Sequence, residues 1–186
     1  VGYPSICGSA ANSIILHYDK NRRILQAGDI FLLDMGAEYH GYTADITRTL
    51  PVSGTFSAAQ RAVYDLVLQA QQAGIDACLP GKRFREPHEA AFAVISEGLK
   101  RLGITKSTEE TKNYFPHGTS HYLGLDVHDA GDSGPLKAGQ VITVEPGIYI
   151  PSGSPCDPKW WNIGVRIEDD VLITENTPVV MSGKLP

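Results

Sequence analysis

The sequence contains a gapless echo of itself, and each copy ends in a carboxylate. Residues 17–36 (HYDKNRRILQAGDIFLLDMG) align with residues 128–147 (HDAGDSGPLKAGQVITVEPG). Both copies start at a His, pass through Leu-x-Ala-Gly and four mostly apolar residues, and close on an acid, any residue and Gly. Asp34 therefore stands in the first copy where Glu145 stands in the second. A shorter echo follows, GYTAD ending at Asp45 and GVRIE ending at Glu168. Acids set in apolar, strand-like runs are costly to bury unless they are paired or hold a cation. A duplicated unit that supplies four of them constrains the chain to two similar halves meeting at a charged centre, the pattern of a symmetric metal site.

The rest of the composition narrows the context. At 186 residues the chain is one domain or most of one. Its net charge of −5 gives no reason to expect nucleic acid or an anionic membrane as partner. No apolar run reaches the roughly 20 residues of a membrane span. Cys7, Cys78 and Cys156 are odd in number and widely spaced, which suits small buried residues in a reducing compartment, the cytoplasm. The opening Val1 and the loop-like GYPSICGSAANS read as part of a longer protein.

Along the chain, IFLLD reads as a buried strand and GYTADITRTL as a second, with Thr43, Asp45 and Thr47 on one face. Ser57-x-x-Gln60 is a capping box that opens a helix running to about Cys78, before Pro80-Gly81. A second helix spans 86–102, with Ala91, Ile95, Leu99 and Leu102 at helical spacing and Gly103 as its stop. Residues 104–116 are irregular. VITVEPGIYI and IGVRIEDDVLIT form two further strands, with Arg166 and Glu168 on one face and Val165 and Ile167 on the other.

Asp34, Asp45, Glu145 and Glu168, with His121 as a fifth ligand, form a donor set rich in oxygen. Converging without a cation, the carboxylates would repel one another and take up protons. Two divalent ions remove that conflict. One imidazole among oxygen donors favours Mn²⁺, with Co²⁺ or Zn²⁺ as alternatives. A metal pair activates water at neutral pH and polarises a carbonyl, so the implied reaction is hydrolysis.

DMGAEYHGYTADITRT, HGTSHYLGLDVHD, TVEPGIYI and GVRIEDD resemble the motifs of the pita-bread metallopeptidases, in the branch of aminopeptidase P and prolidase. The resemblance covers nearly the whole chain. It implies an α+β pita-bread fold, two pseudo-two-fold related α/β halves around a curved antiparallel sheet, here an incomplete catalytic domain over 1–186 truncated at its N-terminus. It implies two divalent metals, with Asp34 on one, His121 and Glu145 on the other, and Asp45 and Glu168 shared. The implied substrate is a peptide with proline in second position, from which the first residue is released. In that reading Glu145 also moves a proton. His17 and His128 contact the substrate and the tetrahedral intermediate from opposite sides of the cleft. His117 lines the proline pocket, and Arg166 orients the carboxylates. The full-length protein is expected to be a homo-oligomer.

Taken singly, each residue has a plainer explanation. Asp-x-Gly at Asp34 suits a turn, Asp45 beside Thr a local hydrogen bond, and Arg166 with Glu168 an ordinary ion pair. Only the joint occurrence at duplicated positions makes these explanations inadequate. A prolidase restricted to dipeptides remains the alternative activity. A silent peptide-binding module or a creatinase-like amidinohydrolase is disfavoured by the presence of all five ligands. His40 and His88 fit no motif and read as solvated. Trp160-Trp161 is either packing or a substrate rim.

Overall fold

The computed structural model describes residues 1–132 and 134–185. Its first strands are β1 (Ile6–Ser9), β2 (Ile30–Met35), β3 (Glu38–Tyr39), β4 (Tyr42–Thr43) and β5 (Ile46–Pro51). Two helices follow, α1 (Ala58–Asp76) and α2 (Glu86–Arg101). The second half supplies β6 (Val141–Val144), β7 (Gly147–Ile150), β8 (Ile163–Arg166), β9 (Asp169–Leu172) and β10 (Val179–Val180). This is the α+β architecture expected, with the duplication carried by the strands.

Among the described residues all strand pairing is antiparallel, in the orders β1-β2-β5 and β10-β9-β6, with the ribbons β3-β4 and β7-β8 beside them. In the first half β2 pairs with β5, setting Asp34 opposite Thr47, and β3-β4 continues in the same register. In the second half β6 pairs with β9, and β7-β8 continues that register in turn. Three of the four strands read from the sequence are thus broken in two, GYTADITRTL at Ala44-Asp45, VITVEPGIYI at Glu145-Pro146 and IGVRIEDDVLIT at Ile167-Glu168, while IFLLD lies whole within β2, which ends just before Gly36. The breaks fall on or beside the acids. Gly36 shows why: a Cβ there would come within 1.7 Å of the Ala44 carbonyl oxygen, so only Gly lets the two chains close next to Asp45.

The helices form as their caps and spacing dictate. The Ser57 side chain accepts from the Gln60 N–H while the Gln60 side chain accepts from the Ser57 N–H, the complete capping box. At the end of α2, Gly103 adopts φ +70, and Gly103 and Ile104 donate to the Lys100 and Leu99 carbonyls. That Schellman closure places Ile104 against Leu99 in the core. Val63, Leu66, Val67 and Ala70 of α1 join Ala91, Ile95 and Leu99 of α2 over Ile148, Ile150, Ile163 and Val165 of the β7-β8 ribbon. Gly98 permits the helix contact, since a Cβ there would lie 2.2 Å from a Leu66 methyl. A smaller cluster (Cys78, Leu136, Ile142, Val144, Val171, Ile173) seals the β6-β9 side.

Residues 104–116 contain a short 3-10 turn, Glu109–Asn113, within their irregular path. Trp160 is buried in the larger core and Trp161 packs against it, its indole N–H donating to the Ser154 carbonyl at 3.0 Å. Both are packing residues. The three cysteines are free thiols, Cys78 buried and Cys7 and Cys156 half-buried. No described helix is long and apolar enough to cross a membrane.

Candidate metal centre

The breaks in the two ladders deliver the acids to one cavity of about 280 Å³. Asp34 comes from β2, Asp45 from the turn into β5, Glu145 from the end of β6 and Glu168 from between β8 and β9. His121 enters on a strand-like segment beside β6, fixed where the His121 N–H donates to Thr143 Oγ1 and Thr143 N–H to the His121 carbonyl. The same cavity is lined by His17, His117, His128 and Arg166. All nine residues singled out from the sequence therefore meet in one place.

Asp45, His121 and Glu168 present ligand atoms that all lie within 4.8 Å of one another. His121 Nε2 stands 3.4 Å from both Asp45 Oδ2 and Glu145 Oε1, and its Nδ1 faces the Tyr122 carbonyl at 3.0 Å. That second contact fixes the Nδ1–H tautomer and leaves Nε2 directed at the acids. Burial alone would lower the His121 pKa; Asp45, the Tyr122 carbonyl and Glu145 outweigh it and hold the imidazole above its ordinary value.

The charge balance is the decisive property. Four carboxylates face one guanidinium, Arg166, and Asp34, Asp45 and Glu168 are 6%, 6% and 2% exposed. Burial, with the neighbouring acids adding to it, drives Glu168 well above the carboxylate range. Burial likewise lifts Glu145 to about 7, even though His121 and Arg166 pull it down. Asp170, behind the Asp45 N–H at 3.3 Å, is raised to about 7, again first by burial. A protein does not ordinarily keep buried acids in this state for packing alone, and oxygen donors around one imidazole match divalent cations. The donor set fits divalent metal.

The two halves hold each other's acids. Arg166 donates to Asp34 Oδ2 at 2.5 Å, to the Tyr149 hydroxyl at 3.0 Å and to Thr47 Oγ1 at 3.1 Å. Thr47 in turn donates to Glu168 Oε2 at 2.6 Å. The Tyr3 hydroxyl lies 2.5 Å from one oxygen of Asp34 and of Asp45. Tyr3, Thr47, Tyr149 and Asp170 were not singled out from the sequence. Thr47 was legible in part, as it shares the strand face of Asp45; Tyr3 precedes the first acid by more than thirty residues and carries no local signal.

Among the remaining histidines, His128 is exposed and meets the His121 ring edge-on at 4.5 Å. Burial, then His121, lowers its pKa. His117 is pushed down to about 4, chiefly by burial, and its Nε2 lies 2.9 Å from the Tyr149 hydroxyl, so it is a neutral ring. His40 is exposed on the β3-β4 turn, as expected. His88 is not solvated: it is half-buried against Phe92 and Phe115, with Nδ1 2.9 Å from Thr119 Oγ1. Its place on the inner side of α2 was hidden because one His at one helical position leaves no periodic trace.

Comparison with known proteins adds the family context. The model described as metallopeptidase family M24 matches residues 1–175. Among curated relatives, Xaa-Pro aminopeptidase 3 of Mus musculus is 43% identical over the whole chain, which spans 38% of that protein. The mitochondrial intermediate cleaving peptidase 55 of Arabidopsis thaliana is 42% identical, again over the whole chain and 38% of its own length. Xaa-Pro aminopeptidase of Escherichia coli is 42% identical over 93% of the chain and 42% of the relative. The chain thus spans well under half the length of these relatives. Two solved structures superpose on all of it: aminopeptidase P from E. coli with the inhibitor Pro-Leu (TM-score 0.95, 40% identity) and proline aminopeptidase P II from Yersinia pestis (TM-score 0.95, 42% identity), each covered to 45%. These matches establish the pita-bread fold.

Proposed function

The chain belongs to metallopeptidase family M24, and from that premise we propose that it is the catalytic domain of a longer, homo-oligomeric Xaa-Pro aminopeptidase of a reducing compartment, the cytoplasm. The reaction is hydrolysis of the bond between an N-terminal residue and a following proline. The observation that carries this reading is the convergence of four largely buried carboxylates and His121 around one cavity with a single guanidinium to balance them.

Asp34, Asp45, His121, Glu145 and Glu168 would hold two divalent ions, Mn²⁺ being the best match to the donor set. Such a pair, when bound, supplies a water acidic enough to act near neutral pH and polarises the scissile carbonyl. The protein's own groups do the rest. Glu145, the most accessible of the four acids, accepts the proton of the attacking water and returns it to the departing proline nitrogen. Its neighbours His121 and Thr143 hold the carboxylate in place, Thr143 Oγ1 donating at 3.3 Å. His17 and His128, exposed at the rim, donate to the substrate backbone and to the oxygen that gains charge. His117, kept neutral beside Tyr149, offers its flat ring to the proline. Arg166 keeps Asp34, Tyr149 and Thr47 in register.

The test is release of alanine from an Ala-Pro-Xaa tripeptide by Mn²⁺-loaded protein, with Ala-Ala-Xaa and the dipeptide Ala-Pro alongside. Cleavage confined to the proline substrates supports the reading. A rate on Ala-Pro far above that on the tripeptide would make the activity a prolidase, and equal cleavage of Ala-Ala-Xaa would remove the proline specificity.

A further inference from the structure

A groove leads out of the metal cavity in one direction. A second cavity of about 410 Å³ shares His117, Gly118 and Ser120 with the first. A third, of about 470 Å³ along α2, shares Arg85, His88, Phe92 and Lys112 with the second. Its charge is opposite to that of the site it leaves. Arg85 and Lys112 are exposed, and neither forms an ion pair among the described residues. The other charges at hand are already matched, Lys100 by Glu97 at 2.9 Å and Glu89 by Arg83 at 2.7 Å.

The junction between the cavities also offers an open strand edge. The Thr119 carbonyl accepts from the Glu145 N–H at 2.8 Å, and the His121 carbonyl accepts from the Thr143 N–H at 3.0 Å. Residues 119–121 therefore run as an extra strand beside β6, and strand alternation turns the N–H and C=O of Ser120 to the other side. Among the described residues no protein group pairs with that N–H or C=O, and the buried Ser120 Oγ has no partner either. At Gly118 a Cβ would meet nothing within 4 Å, so the edge is sterically open. Unpaired edges of this kind accept an extended peptide by main-chain hydrogen bonding.

We propose that this edge and groove seat the part of the peptide that follows the proline, its backbone on Ser120 and a carboxylate of that part between Arg85 and Lys112. The inference rests on the aminopeptidase reading for its direction: a peptide's ammonium end belongs at the acids, so its carboxylate end runs toward the cations. Phe92 and Phe115 give the groove an apolar wall for the side chains in between. The carboxylate is either the peptide's C-terminus or an acidic side chain three or four residues from the N-terminus.

Two peptide pairs separate these sources: Ala-Pro-Ala-Asp amide against Ala-Pro-Ala-Lys amide, and Ala-Pro-Ala acid against its amide. Alanine release and calorimetric binding are both measured on the Mn²⁺-loaded protein. The carboxylate member of at least one pair is expected to be favoured about three- to tenfold at low ionic strength, as two exposed ion pairs allow. The preference should fall toward unity at about 0.5 M salt. In the double variant R85Q/K112Q the ratio should collapse at low salt as well. Equal handling within both pairs, or a ratio that the double variant leaves unchanged, overturns the inference. Alanine release without charge preference would sink the groove and leave the peptidase standing. Preferential binding without release would do the reverse, and absence of both would remove the two together.

Discussion

The two copies of the duplicated ladder use the same plan for different ends. In the first half the ribbon beyond the acid, β3-β4, is two residues long and solvent-exposed, with Tyr39 at 76% and Tyr42 at 64% exposure. In the second half its counterpart, β7-β8, is four residues long, buried at every position, and forms the floor on which α1 and α2 pack. The acids follow the opposite trend in support. Asp34 is gripped by Tyr3 and Arg166 and Asp45 by Tyr3, whereas among the described residues the Glu168 carboxylate accepts from the Thr47 hydroxyl and that of Glu145 meets Thr143 and His121. One half carries the core and the other borrows its anchors. Neither can present its carboxylates alone, because Arg166 reaches across to Asp34 and Thr47 reaches across to Glu168.

The strongest way to break that exchange is Arg166→Met. It leaves Asp34, Tyr149 and Thr47 facing a methyl-terminated chain, and losing one partner of a buried pair costs about 3–5 kcal/mol. Urea unfolding of the metal-free protein would measure it, and a loss below about 1 kcal/mol would mean that the two halves are not tied through this side chain. The contrast between the ribbons is tested by Ile150→Ala and Tyr39→Ala, at corresponding positions of the duplication. Removing the buried Ile150 side chain should cost about 2–5 kcal/mol and truncating the exposed Tyr39 within about 0.5 kcal/mol. Similar losses at the two positions would show that the first ribbon is also part of the core.

How much of this was legible follows the same division. The helices, their caps and the faces of Arg166 and Glu168 were readable because each rests on local spacing: Ser57 with Gln60, Gly103 after Leu102, alternation from Val165 to Glu168. The convergence of the four acids was readable because the duplication marked each position twice; His121 lies outside both echoes and was joined to them by its motif alone. The breaks in the strands were not readable, since Ala44-Asp45 and Ile167-Glu168 keep the apolar alternation of a continuous strand while the backbone turns to aim the acids. Nor were Tyr3 and Tyr149, whose partners are set by tertiary approach. Ser120 illustrates the limit: its unpaired edge exists only because Thr119 and His121 bond to β6.

Glu168→Gln sharpens the comparison from the acid's side, since it removes charge and keeps shape. Thr47 can still donate to the amide oxygen, so the ladder stays intact. Hydrolysis of Ala-Pro-Xaa should fall by more than the roughly 10- to 100-fold that follows loss of an outer partner of a metal ligand, because the proposed role of this carboxylate is to hold the ions itself. Stability of the metal-free protein should move the other way. Glu145, Glu168 and Asp170 have folded-state pKa values raised above their unfolded values, by burial first. Their contribution is full below the unfolded carboxylate range and is lost as pH rises through about 7 and beyond. His117, lowered to about 4, opposes this only below its unfolded value near 6.5. Between pH 8 and 6.5 the metal-free protein should therefore gain thermal stability, the Gln variant should gain less, and Mn²⁺ should flatten the trend. A wild-type melting temperature independent of pH across that window without metal would contradict the account of strained acids.

Tyr3→Phe has the smallest expected effect and separates the two halves most cleanly. The hydroxyl carries one proton and faces an oxygen of Asp34 and one of Asp45, the two acids of the first half, and neither acid of the second. Burial, reinforced by Asp34 and Asp45, drives the Tyr3 pKa far up, so the group acts only as a donor. Its two hydrogen bonds fix where the carboxylates point. Losing such an outer hydrogen bond lowers metal affinity about 10- to 100-fold, far less than losing a ligand. If the proposed arrangement holds, with Asp34 on one ion and His121 and Glu145 on the other, a Mn²⁺ titration followed by electron paramagnetic resonance should show the variant weakening the first ion more than the second. Two equal losses would mean that the metals bind as one cooperative unit, in which case the anchors of either half serve both.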